Sequence, residues 1–157
     1  MAGSVYLTHE GYQKLCDQLE FLKTTERQRI AKAIGEARAQ GDISENAEYD
    51  AAKDAQAHNE ARIADLEGKL ANVSFIEDMK IPADKIFIGA KVRLKDLDSG
   101  QEIRYMLVST EEAEFGEDRL SVFSPIGQGL LKHAVGDEVT ITVPAGTKRF
   151  KVLEIKR

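Results

Sequence analysis

The sequence predicts two domains: an N-terminal antiparallel α-helical coiled-coil hairpin and a C-terminal α+β domain. Three observations carry this. No proline interrupts the chain before Pro82, and apolar residues recur at helical spacing on both sides of Gly41. Beyond Pro82 the apolar period changes from three-and-four to two, the period of a half-buried strand. The only strong break inside the first half is Gln40-Gly41. The expected division is residues 1–76 for the hairpin, 77–85 for a linker and 86–157 for the β-rich domain.

The first helix starts at Thr8, an N-cap residue, with Glu10 adding negative charge to the first turn. Leu15, Leu19 and Leu22 form the apolar stripe, and Ile30, Ala33 and Ala37 continue it with a small phase slip. The seam narrows from leucine to alanine towards Gly41, so two helices can approach closely there. Glycine readily takes the left-handed conformation that ends a helix. From Thr8 to Gln40 the helix would be roughly 50 Å long at about 1.5 Å per residue.

Asp42 or Ser44 is the expected cap of the return helix, in which Ala51, Ala52 and Ala55 favour helix. Ile63, Leu66, Leu70 and Val73 then repeat at three, four and three. Apolar content rises away from residue 42 in both directions, as it does when two helices of one chain fold back on each other.

In the second half, Ala90–Leu97 and Glu102–Val108 alternate with period two, and Asp98-Ser99-Gly100 between them is turn chemistry. Leu120–Phe123 is a third strand. Ser124-Pro125 opens a short helix, serine as N-cap and proline at its first position. Glu138–Val143 and Lys148–Ile155 add two strands joined through Pro144-Ala145-Gly146. The sum is a small, mainly antiparallel sheet with one helix on a face.

Composition narrows the function. With 27 acidic and 22 basic residues the net charge is -5, so the molecule as a whole has no general attraction for nucleic acid; any such contact is local or delivered by another protein. Cys16 is the single cysteine, and no intrachain disulfide is possible, as expected of a protein of the reducing cytoplasm. No apolar run approaches the ~20 residues that span a bilayer, and Met1–Thr8 has no signal-peptide pattern, so no membrane role is expected. His9, His58 and His133 are scattered without metal-ligand spacing. Gly127-Gln128-Gly129 lacks the third glycine of a dinucleotide loop.

The turn between the helices holds the remaining candidates. Asp42-Ile43-Ser44-Glu45 has the spacing of a capping box, with aspartate in place of serine or threonine. The same two carboxylates also form a pair able to share a divalent cation, since Mg²⁺ is commonly held by one or two carboxylates plus water and substrate phosphates. Glu45, Tyr49 and Lys53 fall at i, i+4 and i+8 on one helix face, and Arg38 lies one turn before Asp42. Cations beside an acidic tip suit a phosphate backbone, and an aromatic ring suits base stacking; helix salt bridging is the structural alternative for Arg38 and Lys53.

Two segments resemble a known family. Glu36–Lys53, containing Gly41-Asp-Ile-Ser-Glu-Asn-Ala-Glu-Tyr49, is similar to the tip signature of bacterial transcript-cleavage factors of the GreA/GreB type. Ser121–Leu131 is similar to the C-terminal signature of that family, and Thr8-x-x-Gly11 with Leu15, Leu19, Leu22 and Lys23 also fits. The resemblance covers essentially the whole chain. It implies an FKBP-like C-terminal domain that docks on RNA polymerase, and a coiled coil that enters the secondary channel of the polymerase. It implies that Asp42 and Glu45 help position a catalytic Mg²⁺, shared with the polymerase and not held tightly by this chain alone, and the attacking water. Arg38, Lys53 and Tyr49 then lie near the 3′ end of the nascent RNA in a backtracked complex. Lys53 stands where the family often has arginine, which keeps the charge but loses the bidentate geometry. Ser124, Pro125 and Ile126 are expected on the polymerase-docking surface.

The expected function is therefore a cytoplasmic, monomeric elongation factor, no enzyme by itself, that stimulates RNA cleavage by the polymerase and rescues arrested complexes. The alternative on the same scaffold is a channel-binding inhibitor, against which the intact Gly41-Asp42-x-x-Glu45-Asn46 argues. A stand-alone prolyl isomerase, suggested only by the implied C-terminal fold, rests on fold analogy alone.

Overall fold

The computed structural model describes residues 4–42 and 46–157 of the chain. The contacts group it into two compact units. One contains Tyr12–Val73 with Ser4; the other contains Val5–Gly11 together with Ser74–Arg157. The short N-terminal segment Val5–Gly11 thus belongs with the C-terminal half, a grouping with no local signal in the sequence.

The helical unit is a hairpin. Its outgoing arm is α1 (His9–Phe21), a π-helical turn (Leu22–Glu26) and α2 (Arg27–Ala39); its return arm is α3 (Ala47–Leu70). Leu15, Leu22, Ile30 and Ala37 are buried at successive steps of seven, eight and seven residues. The eight-residue step spans the π-helical turn, which accommodates one residue more than an α-helix and keeps the stripe on the seam. This is the physical origin of the phase slip. On the return arm Ala52, Asn59 and Leu66 are buried at heptad spacing, with Ile63 between the last two. Near the turn, Ile30, Ile34 and Ala52 form a small apolar cluster to which Ala33, Tyr49 and Ala55 add.

Charged side chains cross between the arms. The Arg27 fork reaches Glu60 with Nε at 3.0 Å and Nη2 at 2.8 Å, and Lys23 lies 3.5 Å from Glu67. The hydrogen bonds from Arg27 hold the Glu60 carboxyl below the usual carboxylate range. Both groups face water, so they set alignment more than stability.

The helix of the return arm ends at Leu70, earlier than the repeat through Val73 predicts. Val73–Phe75 is a strand, β2, paired with β1 (Val5–Leu7). β-Branched and aromatic residues favour an extended chain once a partner strand is available.

The second unit is built on a five-stranded sheet in the order β5-β4-β3-β7-β6. The strands are β3 (Lys91–Asp96), β4 (Glu102–Val108), β5 (Arg119–Ser121), β6 (Glu138–Val143) and β7 (Gly146–Lys156). All neighbours are antiparallel except β4 and β5. A short helix, α4 (Thr110–Ala113), makes the parallel crossover, and α5 (Pro125–Leu130) follows β5. One face of the sheet carries the core, with Val92, Leu94, Leu107, Phe150 and Val152 at most 2% exposed. α5 closes this face: Gly129 lies against Ile141, and Gly127 backs onto the Ser121 carbonyl, where any Cβ would collide. Those two glycines are packing residues.

Within this unit Glu112 of α4 is fully buried. It accepts hydrogen bonds from the Thr8 backbone N–H and from Thr8 Oγ1, the latter at 2.6 Å, and Arg119 Nη1 lies 3.3 Å from its other oxygen. Thr8 Oγ1 in turn accepts from the Gly11 N–H at 3.0 Å, the N-cap bond expected for α1. The Glu77 carboxylate accepts from the His9 N–H at 3.0 Å.

Candidate functional site at the hairpin tip

The tip is built by the end of α2 and the start of α3. The last turn of α2 closes through Gln40 N–H to Ala37 O and Gly41 N–H to Arg38 O, both at 3.3 Å, and Gly41 takes φ +113°, a value favouring glycine. Asp42 follows and is exposed.

Asn46, not Asp42, is the N-cap of α3, and this corrects the capping-box reading. The Asn46 side-chain oxygen accepts from the Glu48 and Tyr49 N–H groups at 3.1 Å each. Its Nδ2 donates to the Ala37 carbonyl at 2.6 Å. One amide thus satisfies two donors at the start of α3 and one acceptor at the end of α2. Doing both takes a side chain with an acceptor and a donor, which an ionised aspartate does not have. Ser44 and Glu45 lie outside the described residues, so of the expected face of Glu45, Tyr49 and Lys53 only Tyr49 and Lys53, both in α3, are described.

The structure brings Arg38 and Tyr49 together: the guanidinium carbon sits 5.9 Å from the ring centroid, within cation–π range. Tyr49 is half-buried, and its ring also packs on the Ile30, Ile34 and Ala52 cluster. The base-stacking reading of Tyr49 changes accordingly, since the ring is held by the seam and by Arg38. Lys53 is exposed, and its Nζ donates to Gln56 Oε1 at 2.9 Å within α3. Among the described residues no group of three or more His, Cys, Asp or Glu side chains is placed to hold a metal. The carboxylate oxygen of Asp42 is a hard donor of the type Mg²⁺ takes, and it suits an ion completed by other ligands.

The second candidate surface precedes α5. Ser124 caps α5, accepting from the Gly127 N–H at 3.0 Å and donating to the Ser121 carbonyl at 2.7 Å. Pro125 is exposed, whereas Ile126 packs partly against the sheet core. Phe123 is 72% exposed. The strand pattern places it at the end of a strand, whereas β5 stops at Ser121; its position immediately before a helix cap is the available signal that it turns outward.

Two family descriptions match the chain. The N-terminal domain of transcription elongation factors GreA/GreB covers residues 5–74, and the C-terminal domain of the same factors covers residues 81–157. The chain belongs to the GreA/GreB family of transcription elongation factors. It is 48% identical to transcription elongation factor GreA of Chloroherpeton thalassium over 99% of both chains. It is 44% identical to the GreA of Chlorobaculum parvum, over 99% of this chain and 98% of that one. Among solved structures, GreA factor homolog 1 (Gfh1) of Thermus thermophilus is 32% identical over 98% of this chain and 99% of that one, with a TM-score of 0.44. The family accounts for the two-domain arrangement, a helical N-terminal hairpin and a C-terminal α+β sheet domain. No helix of the described residues is long and apolar enough to cross a membrane.

Proposed function

We propose that this chain inserts its hairpin into the secondary channel of RNA polymerase and stimulates the polymerase's own cleavage of backtracked RNA, rescuing arrested complexes. The observation that supports this best is that Asp42 is exposed at the turn, beside an α3 whose cap is Asn46. Asp42 and Glu45 then supply hard oxygen donors to a Mg²⁺ shared with the polymerase. When bound, that ion lowers the pKa of water and stabilises the oxygens of an in-line phosphoryl displacement. Arg38, held by Tyr49, and Lys53 present positive charge to the phosphates of the RNA 3′ segment. Phe123 and Pro125 offer an exposed apolar surface for docking on the polymerase, with Ser124 and Ile126 holding that surface in place. The chain acts as a monomer and is no nuclease alone.

The test is RNA cleavage in stalled elongation complexes. Asp42→Asn and Glu45→Gln abolish release of short 3′ RNA while the variants still compete with the parent protein for the polymerase. Cleavage by the double variant at the parent rate would overturn the metal role. Blocked nucleotide addition without shortened RNA, seen with the parent protein, would identify an inhibitor instead.

A further inference from the structure

The five-stranded sheet ends in two unlike edges. On one side β5 is three residues long, and shortness is a usual protection of an edge strand. On the other side β6 runs six residues, Glu138–Val143, with no lysine, proline or bulge to blunt it. Its pairing with β7 fixes which backbone groups are spare. The two-residue turn Pro144-Ala145 makes Val143 and Gly146 a hydrogen-bonded pair, so Ile141 with Lys148 and Val139 with Phe150 are such pairs too. The N–H and C=O groups of Glu138, Thr140 and Thr142 therefore point away from β7. Among the described residues no hydrogen bond reaches these groups. All three residues are exposed, whereas Val139 and Ile141 between them are buried on the core side.

We propose that β6 pairs antiparallel with β6 of a second copy of this chain, across a two-fold axis at Thr140. The strand matches itself in this one register. Thr140 faces its own counterpart and Glu138 faces Thr142, so every spare N–H and C=O of the three edge residues is paired. An axis at Ile141 sets Glu138 against Pro144, which has no N–H to give, and an axis at Val139 sets Thr142 against Gly136, outside the strand. No like charges meet, since Glu138 is the one charge of β6 and faces threonine. The side chains keep their faces: Val139 falls opposite Ile141 and extends the apolar side of the sheet, while the threonines stay outward. The contact is isologous, and the opposite edge, the three-residue β5, is too short to continue the ladder, so the assembly closes as a dimer. A partner of another sequence would gain the backbone bonds without these matched rows. The inference does not rest on the cleavage reading, and the monomer that acts at the polymerase stands in equilibrium with the pair. One strand pair is a small contact, so it forms at high concentration and exchanges quickly.

The experiment follows the mass and the amide protection of the full chain from about 10 μM to about 1 mM, the range in which weak contacts fill. Sedimentation equilibrium gives a monomer–dimer equilibrium. Over the same range the amides of Glu138, Thr140 and Thr142 gain protection from hydrogen exchange, read residue by residue by NMR. Those of Val139, Ile141 and Val143, bonded to β7, are protected throughout. Thr140→Lys sets two like charges against each other on the axis and weakens pairing by about tenfold or more, and Thr140→Glu does the same. A mixture of the two variants pairs more tightly than either alone, and both keep the circular dichroism spectrum of the parent. In a Cys16→Ser background, Thr140→Cys cross-links on air oxidation, since opposed Cα atoms of a hydrogen-bonded pair lie about 5.5 Å apart, within disulfide range. Thr142→Cys does not cross-link, because the register sets it opposite Glu138 and away from its own counterpart. The proposal is overturned if the chain stays monomeric at about 1 mM, if the dimer protects other amides, or if the mass grows past a dimer. It is also overturned if the lysine and glutamate variants fail to pair with each other, or if Thr142→Cys cross-links as readily as Thr140→Cys. Equal protection of the same amides by an unrelated extended peptide would assign the edge to extended chains in general and overturn self-recognition.

Discussion

Asn59 Nδ2 donates to the Leu22 carbonyl across the hairpin at 3.0 Å, at the first residue of the π-helical turn. Both residues are buried, Asn59 at 5% and Leu22 at 6% exposure. Asn59 holds a heptad position between Ala52 and Leu66, where the repeat calls for an apolar side chain. A buried polar residue at such a position fixes register at a cost in stability, because only one alignment satisfies it. Here it also marks where the outgoing arm takes up its extra residue.

Asn59→Ala removes the donor and leaves the Leu22 carbonyl without it inside the seam. The expected loss is about 1–3 kcal/mol, the cost of an unsatisfied buried polar group. Urea unfolding followed by circular dichroism measures it, and an unchanged midpoint would show that the carbonyl is satisfied without Asn59. Asn59→Leu restores apolar burial but not register, so its hairpin shows broader amide exchange along α3 even where stability recovers.

At the tip, Asn46→Ala and Asn46→Asp separate the two functions of one amide. Alanine loses the cap as well as the bond to Ala37, at about 0.5–2 kcal/mol. Aspartate keeps an acceptor for the Glu48 and Tyr49 N–H groups but sets a carboxylate against the Ala37 carbonyl in place of the 2.6 Å bond. Hydrogen exchange at Glu48 and Tyr49 therefore speeds up in the alanine variant and stays protected in the aspartate one. Stimulated RNA cleavage falls in both, since the bond between the two arms is lost in both. Full cleavage activity of Asn46→Asp would confine Asn46 to capping.

Much of this was legible in the sequence because it depends on local periodicity. The hairpin arms, the Gly41 stop, the Thr8 and Ser124 caps and the five sheet strands, β5 with shifted bounds, follow from spacing and turn chemistry. The misses share a cause, a partner far away in the chain. Val73 continues a helical repeat by spacing, yet pairs as a strand with Val5–Leu7. Asn59 has no local signal of burial because its acceptor lies 37 residues away. The capping box at Asp42 is a sound local pattern that loses to Asn46, whose advantage is a carbonyl on the other arm. The phase slip between Leu22 and Ile30 is visible in the sequence, but its cause, a π-helical turn, is not.

Two turn aspartates set an acid limit on the sheet unit. Asp96 accepts from the N–H groups of Asp98 and Ser99 at 2.9 and 3.2 Å, and Asp137 accepts from the Ala134 N–H at 2.9 Å and faces His133 Nδ1 at 3.1 Å. Backbone hydrogen bonds to the ionised form hold both carboxyls below their ordinary value. A folded-state pKa below the unfolded one gives stability that is fully present above the unfolded value, about 3.9, and is lost as pH falls through the folded one. The melting temperature accordingly drops as pH is lowered below about 4. Asp96→Asn and Asp137→Asn each lower stability at neutral pH and flatten the acid limb. A parallel downward shift of the whole profile in either variant would show that its charge is not the titrating element.

Glu112 makes the strongest stability prediction. It is fully buried, accepts from the Thr8 N–H and hydroxyl, and lies 3.3 Å from Arg119, which is 15% exposed. Removing Glu112 leaves the Thr8 N–H and hydroxyl without their acceptor in a buried site, and leaves Arg119 with Glu10, 3.4 Å away, as its carboxylate partner. Glu112→Ala therefore costs about 3–5 kcal/mol, measured by urea unfolding. Gly11 faces the same carboxylate so closely that an added Cβ would overlap it, and Gly11→Ala destabilises by crowding. The two effects share one space: once the Glu112 side chain is gone, the methyl added by Gly11→Ala has room. The double variant is thus less destabilised than the two single losses added together, a coupling of about 0.5–3 kcal/mol in a double-mutant cycle. Strict additivity would mean that Gly11 is required for its backbone alone and not for its contact with Glu112.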